Sequence, residues 1–149
     1  GQAIEMKELC EKSPIGIALD EELIGTHSLH EKRLLLESIM PQYIIYFNQQ
    51  WVGNHPEEWF HARGPLARAV VKEMEEAGVV VFAGGLVEEI EDSFGSDENG
   101  TIGGPITTDG EFLGGLTIIG VASDEEAKHW GSKIGIACGW PQEIRRFKD

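Results

Sequence analysis

Three short, mostly apolar runs constrain this chain most, at residues 43–47, 79–82 and 116–121. Runs of this length bounded by Gly and Pro are typical of buried strands. Helical patterns follow the first run, over 57–77, and the third, over 123–137. A short strand is expected at Glu143–Phe147. This order predicts an α+β two-layer sandwich of the ferredoxin-like kind, with both helices on one face of the sheet.

The first helix is expected to begin near Pro56, because acidic residues follow it and favour the positive end of a helix. Pro65 lacks an amide hydrogen, so it is expected to kink or restart this helix. The expected buried stripe consists of four apolar residues, Leu66, Val70, Met74 and Ala77. The second helix is expected to begin with a capping box that joins Ser123 to Glu126.

Acidic and apolar residues alternate over Val87–Phe94, which predicts a half-exposed strand. A turn over Gly95–Gly100 and a returning strand over Ile102–Thr108 are expected to follow. The run at 116–121 is expected to be a central strand. Because the helices are predicted on one side of the sheet, its other face is left uncovered. We therefore expect a homodimer that packs face to face.

The N-terminal part differs in character, and we divide the chain into an extension, 1–39, and a domain, 40–149. The extension is polar at first and ends in a predicted helix, Ser28–Ile39, which starts with a capping box between Ser28 and Glu31. Met40 is a candidate for the natural start. His27 and His30 lack a clear third ligand, so we expect no metal site.

Charge and composition exclude several classes of function. The chain has 149 residues, with 12 Lys and Arg against 26 Asp and Glu, and a net charge of -14. Such a chain repels phosphate backbones and anionic lipid, so we expect neither nucleic acid nor membrane as a partner. Two distant cysteines and the lack of a signal-peptide pattern favour the cytoplasm. No phosphate-binding motif is present, and no cofactor is expected.

From Met40 onward the chain resembles the YCII-related family, in particular its DGPF branch. The resemblance covers about 110 residues, 40–149, and depends on the order of several short pieces. These pieces are MPQYIIY at 40–46, EEAGVVVFAGGL at 75–86, TDGEF at 108–112, GGL at 114–116 and SDEEA at 123–127. The resemblance implies a ferredoxin-like fold that forms a dimeric α/β barrel, with a cleft containing the signature Asp and often a helix His.

Two departures from the family pattern affect the implied site. Glu111 stands where the signature has Pro. Ala67 stands where the helix His is expected, and His61 lies six residues earlier. Family members are mostly uncharacterised, and a few are linked to small-molecule chemistry such as dehydrochlorination of an aromatic breakdown product.

Asp109 is the main candidate for a catalytic residue, because a partly desolvated carboxylate can accept a proton. The alternative is an Asp-Gly turn in which the carboxylate bonds its own backbone. His61 is the candidate acid–base partner, because histidine is a common general acid or base, or else it is a solvated histidine. Asp109 and Glu111 alternate, so a paired carboxylate site is a further alternative to a solvated face.

Four residues are candidates for binding a small molecule. Arg63 and Arg68 can hold a carboxylate, or pair with surface glutamates instead. Trp59 and Phe112 can line a pocket for an aromatic group, or belong to the core. Two functions stay open: an enzyme that transfers a proton on a polar or aromatic metabolite, and a non-catalytic dimeric module that binds a ligand or a protein.

Overall fold

The computed structural model describes residues 40–149 together with Ser28 and Glu31. The main sheet has four antiparallel strands, which are β1 (Gln42–Asn48), β2 (Val80–Gly85), β5 (Leu113–Gly120) and β6 (Glu143–Arg146). Two helices complete the layer pair, α1 (Glu57–Glu76) and α2 (Asp124–Cys138). A separate hairpin joins β3 (Gly95–Ser96) to β4 (Ile102–Gly103). Single 3-10 turns lie at Gln49–Trp51 and Ile90–Asp92.

The strand order in the main sheet is β2-β5-β1-β6, so β5 and β1 are central. Tyr43 pairs with Ile119 and Ile45 with Thr117, and all four side chains are buried. The α+β prediction with an antiparallel sheet and two helices is confirmed, and it is consistent with a ferredoxin-like fold. The predicted central position of the third apolar run is also confirmed.

One core cluster joins both helices to the same face of the sheet. Met74 comes from α1, Trp130 and Ile134 come from α2, and the strands contribute Tyr43 and Ile45 among others. The side chains of Ile45 and Met74 have no exposed area. Each buried aliphatic side chain contributes roughly 1.5–3 kcal/mol, so this cluster is the main source of stability in the described part of the chain.

The capping box at Ser28 forms as predicted, and the one predicted at Ser123 forms only its serine half. The Ser123 hydroxyl accepts the Glu126 amide at 3.2 Å, and α2 begins at the next residue. Near the N-terminus, the Ser28 hydroxyl accepts the Glu31 amide at 3.2 Å, and the Glu31 carboxylate accepts the Ser28 amide at 3.3 Å. The rest of the predicted helix Ser28–Ile39, with His27, lies outside the described residues.

The helix α1 differs from the predictions at two residues. It does not restart at Pro65 but continues through it to Glu76, because one lost amide hydrogen bond is outweighed by the bonds and packing of the residues that follow. Leu66 does not belong to the buried stripe and is 49% exposed. Each step of four residues turns the helix about 40° past a full circle, so Leu66 lies about 80° from Met74.

Two further predictions, both for the segment between β2 and β5, are wrong. Val87–Phe94 is not a strand: it contains only the 3-10 turn at Ile90–Asp92, and its carboxylates stay exposed. The returning strand is limited to Ile102–Gly103 rather than extending to Thr108. The hairpin turn itself forms where expected, since the Asp97 carboxylate accepts the amides of Asn99 and Thr101, each at 2.9 Å.

Candidate functional site

No described helix lies on the face of the sheet opposite α1 and α2, which we call the uncovered face. Two rows of paired residues cross this uncovered face. The first row, from β6 to β2, is Arg145, Ile44, Ile118 and Phe82. The second row is Glu143, Tyr46, Leu116 and Gly84. Its centre is therefore apolar, and its charges lie at the β6 edge.

At the β2 edge the first row ends in Phe82, which is 57% exposed. Other large apolar side chains that are exposed follow in this part of the chain, at Val81, Leu86, Val87, Phe94, Ile102 and Ile106. Exposed apolar side chains mark an interaction site where they form one patch.

At the β6 edge, polar groups hold the side chain of Tyr46. Its hydroxyl donates to the Glu143 carboxylate at 2.7 Å. This hydrogen bond raises the pKa of Tyr46, and the nearby Arg145 opposes the rise. Arg145 therefore lies close to the Tyr46 hydroxyl on the uncovered face, consistent with its pairing with Ile44.

Asp109 lies in an exposed turn just before β5. The next residue, Gly110, has φ +80°, which side chains rarely adopt. Within residues 40–149 the Asp109 carboxylate forms no hydrogen bond or ion pair. This carboxylate is accessible to a ligand, but no described group desolvates or orients it.

Glu111, two residues later, is the carboxylate that the fold holds in place. Its Oε2 accepts the Trp51 indole N–H at 3.0 Å and the Asn48 amide at 3.3 Å. The Phe112 amide donates to the Gln50 side chain at 3.0 Å, which fixes the same loop against the end of β1. The Glu111 carboxylate is therefore positioned by residues about 60 places earlier in the sequence.

His61 lies on the exposed part of α1, and its side chain is 76% exposed. The charged group nearest to it is Glu57, one helical turn earlier, at 3.7 Å. Neither a hydrogen bond nor an ion pair joins His61 to Asp109. The structure does not bring the predicted catalytic pair together within one chain.

Aromatic rings form a cluster at the start of α1. The His55 imidazole is stacked on the Trp59 indole, with centroids 3.7 Å apart and planes 8° from parallel. Phe60 meets Trp59 edge to face at 5.1 Å. The Arg63 guanidinium lies 4.9 Å from the centre of the Trp59 ring, and the two form a cation–π interaction.

The same cluster extends to the end of α2 through Trp140. Its indole lies 4.7 Å from the Phe47 ring and donates to the Asn48 carbonyl at 2.9 Å. Gly139, beside it, has φ +66°, and a Cβ there would lie 2.6 Å from the Trp59 ring. The Trp59 ring therefore occupies the space that a side chain at position 139 would need.

Two of the four predicted binding residues contact each other in the structure. Trp59 and Arg63 are in contact, as residues one turn apart on a helix can be. Arg68 is exposed one turn beyond Gly64 and forms no described ion pair. Phe112 is anchored by its backbone to the turn after β1 rather than to the Trp59 cluster.

Sequence reasoning missed His55, Trp140 and the anchoring of Glu111 by Trp51. The spacing of four residues between His55, Trp59 and Arg63 could have indicated that His55 belongs to this cluster. No local pattern indicates the contacts of Trp140 or the hydrogen bond between Trp51 and Glu111.

Cys138 is partly buried at the end of α2. Burial raises the pKa of its thiol, and the positive charge of Arg63 opposes that rise. A raised pKa lowers the fraction of reactive thiolate.

A shallow groove of about 600 Å³ lies between α2 and β6. Its walls include Lys128, Ile136, Trp140 and Gln142. Neither Asp109 nor His61 lines this groove, so it does not combine with the predicted catalytic residues.

Within the described part of the chain, no group of three or more His, Cys, Asp or Glu side chains is placed to hold a metal ion. In residues 40–149 no helix is both long enough and apolar enough to cross a membrane.

Comparison with known proteins does not identify a family for this chain. No family model matches the chain. A segment of 41 residues, 28% of the chain, is 54% identical to o-succinylbenzoate synthase from Desulfotalea psychrophila. The chain spans 11% of the length of that protein. The likeness to the YCII-related family stays a prediction.

Proposed function

We propose that this chain is a YCII-like homodimeric module that binds a small molecule without catalysing its conversion. The observation that carries the proposal is the uncovered sheet face, whose two rows have an apolar centre and an exposed Phe82 at one edge. Face-to-face packing of two such sheets would give the dimeric α/β barrel that the resemblance implies. The short match to o-succinylbenzoate synthase covers too little of that enzyme to suggest its reaction.

Binding is favoured over catalysis by the surroundings of the candidate residues. A general acid or base needs a pKa near the working pH, which usually requires burial or a charged partner. Asp109 is exposed and unpaired within residues 40–149, and His61 contacts Glu57 instead. The positioned carboxylate, Glu111, is occupied by two hydrogen-bond donors on one oxygen.

Sedimentation equilibrium at micromolar concentration tests the dimer. The protein should have about twice the chain mass of 16.4 kDa. Ile118→Lys places a charge at the centre of the uncovered face and should give a monomer. Ile136→Lys is the matched control, because Ile136 is 74% exposed on α2, away from that face. A monomeric wild-type protein would contradict the proposal.

The Trp59–Arg63 pair supports a ligand that carries both an aromatic ring and a carboxylate. The guanidinium can donate hydrogen bonds to a carboxylate, and the indole and neighbouring rings can contact an aromatic group. Benzoate is the simplest probe, and benzylamine has a similar ring with the opposite charge. Benzoate should change tryptophan fluorescence with saturation, and Arg63→Gln should abolish the change. Equal responses to both probes, or to neither, would count against this ligand class.

The second candidate function is a proton-transfer enzyme that acts on a polar or aromatic metabolite, with Asp109 as base and His61 as its partner. It is favoured by one observation: no described residue competes for the Asp109 carboxylate, which a substrate can therefore reach. The protein in D₂O, supplied with small lactones and 2-oxo acids, should then catalyse deuterium exchange next to the carbonyl. Asp109→Asn should abolish the exchange, and His61→Ala should reduce it. No exchange above the buffer rate leaves only the binding module.

A further inference from the structure

The groove between α2 and β6 is lined by glycines and apolar side chains. Ile144 of β6 packs so closely on Gly131 that a Cβ there would lie 2.3 Å from the Ile144 side chain. One turn further along α2, a Cβ at Gly135 would meet nothing closer than the Gln142 side chain, at 3.6 Å. Ile136 belongs to the wall of the groove and is 74% exposed. The groove therefore has room above Gly135 that no described residue fills.

The chain enters the domain at one end of this groove. The Val121 amide, three residues before α2, donates to the Pro41 carbonyl at 3.1 Å. The Phe147 amide, just after β6, donates to the Gln42 carbonyl at 2.9 Å. Pro41 therefore lies where α2 begins and β6 ends, beside the end of the groove that Lys128 lines.

The segment before Pro41 has the sequence of a short amphipathic helix. Ser28 and Glu31 form both hydrogen bonds of a capping box, and Glu31 has helical geometry. A proline disfavours the helical conformation at the residue before it, so this helix is expected to end by about Ile39. Four apolar side chains fall within about 120° of its circumference: Leu29, Leu35, Leu36 and Ile39. Because so short a helix is marginal alone, this face needs a surface to pack on.

We propose that residues 28–39 dock in the groove of the same protomer as a third helix, antiparallel to α2. The connection at Pro41 sets the direction, since Ile39 must lie near Lys128 and Ser28 near the other end of α2. The stretches 28–39 and 128–139 each span roughly 17 Å at the helical rise per residue, so the lengths match. The proposal does not depend on the homodimer, and a monomeric protein would leave it standing.

Charges at the entry end favour this occupant. Lys128 is 68% exposed although it forms an ion pair with Glu125. Arg146 pairs with the buried Tyr43, so it lies on the same side of the sheet as α2. The antiparallel register places Glu37, near the end of the docked segment, in this basic region. Opposite charges at this end select the register as well as the occupant.

Engineered disulfides in the full chain test the register. The parent carries Cys10→Ser and Cys138→Ala, so that no natural thiol interferes. Leu35→Cys with Ser132→Cys should form a disulfide within one chain, because the register places these positions opposite each other. Leu34→Cys with Ser132→Cys is the matched control, since Leu34 lies outside the apolar face.

Mass spectrometry and non-reducing electrophoresis measure the cross-linked fraction after mild oxidation. It should be at least about tenfold larger for position 35 than for position 34, because a disulfide requires close Cα atoms. Equal or absent cross-linking at the two positions, or a cross-link between chains, would overturn the proposal.

A variant of the groove gives an independent measurement. Gly135→Leu has room for its Cβ, and its side chain fills the groove. Trypsin cleavage after Lys32 and Arg33 should become at least about fivefold faster, because only the docked segment is protected. His129→Leu, at an exposed position of α2 that does not line the groove, should leave the rate unchanged. With folding confirmed by circular dichroism, equal rates in wild type and Gly135→Leu would rule out docking.

Discussion

The indole N–H of Trp51 donates to the Glu111 carboxylate at 3.0 Å, across a sequence separation of 60 residues. With the Asn48 amide on the same oxygen, it fixes a carboxylate at the end of β1. Asp109, two residues away, has no such contact within residues 40–149. The loop thus carries one carboxylate with a structural role and one that is free for a ligand.

Replacing Glu111 and Asp109 in turn by alanine should show that only Glu111 stabilises the fold. Glu111→Ala removes two hydrogen bonds to exposed groups and should lower the free energy of unfolding by about 1–2 kcal/mol. Asp109→Ala should change it by less than about 0.5 kcal/mol. Urea unfolding followed by tryptophan fluorescence measures both. Equal losses would mean that Asp109 has contacts that the structure does not show.

The two tyrosines should ionise above the ordinary tyrosine pKa of about 10. Burial, followed by the hydrogen bond to Asp124, raises the pKa of Tyr43, and the hydrogen bond to Glu143 raises that of Tyr46. Near-ultraviolet absorbance of tyrosinate measures both transitions. Glu143→Ala should lower one of them and leave the other unchanged. A single unshifted transition at about 10 would contradict the hydrogen bonds.

The raised pKa values of the two tyrosines also predict the direction in which folding stability changes with pH. Because the folded state holds each phenolic proton more tightly than the unfolded state, the stabilisation is complete below about pH 10. It should be lost as the pH rises through the raised pKa values. Melting temperatures measured from pH 8 upward should therefore fall in that alkaline range, and less so in Tyr46→Phe.

Two glycines of similar backbone conformation should respond differently to substitution. Gly139→Ala combines a left-handed backbone with a Cβ 2.6 Å from the Trp59 ring. Gly100 has φ +81° and open space around it, so Gly100→Ala should cost only about 1 kcal/mol for the backbone. Gly139→Ala should cost about 1–3 kcal/mol more because of the collision. Thermal unfolding of both variants measures the difference, and equal losses would remove the steric role of Trp59.

Ile44 and Ile45 are adjacent on β1 but lie on opposite faces of the sheet, so their substitution should have different effects. Ile45 is fully buried in the core, so Ile45→Ala should cost about 2–5 kcal/mol of folding stability. Ile44 lies on the uncovered face, so Ile44→Ala should cost less in folding and raise the Kd of the dimer instead. Unfolding curves and sedimentation on the same two variants measure both effects. A dimer weakened only by Ile45→Ala would contradict the assignment of faces.

Removal of residues 1–39 should leave a folded domain. Every member of the described core cluster lies between Tyr43 and Ile144, and all four strands of the main sheet follow Met40. The truncated protein should therefore give cooperative unfolding and remain a dimer, with a lower melting temperature if the extension packs on the domain. Loss of cooperative unfolding would place the extension within the core.

Much of the fold could be predicted because strand and helix patterns are local. The apolar runs predicted β1, β2 and β5, and the Ser123 capping box predicted the start of α2. Prediction failed where local pattern and tertiary context disagreed. Val87–Phe94 alternates like a strand but pairs with no strand within residues 40–149, and α1 does not restart at Pro65 because its following turns pack on the core.

The candidate site was less predictable, because its parts are distant in sequence. Trp59 and Arg63 meet one helical turn apart, which spacing alone indicates. Asp109 and His61 have no such link, and the fold leaves them in different surroundings. The Trp51–Glu111 hydrogen bond depends on how the loop before β5 meets the turn after β1.

The sequence by itself determined the acidic charge, the alternation of strands and helices, and the helix starts, because composition, hydrophobic period and capping act between near neighbours. Only the tertiary structure decided the strand order, the row from Arg145 to Phe82 and the hydrogen bond between Trp51 and Glu111. Strand pairing brings together residues that no local interaction couples, and the free energy that selects one pairing comes from burying the shared core.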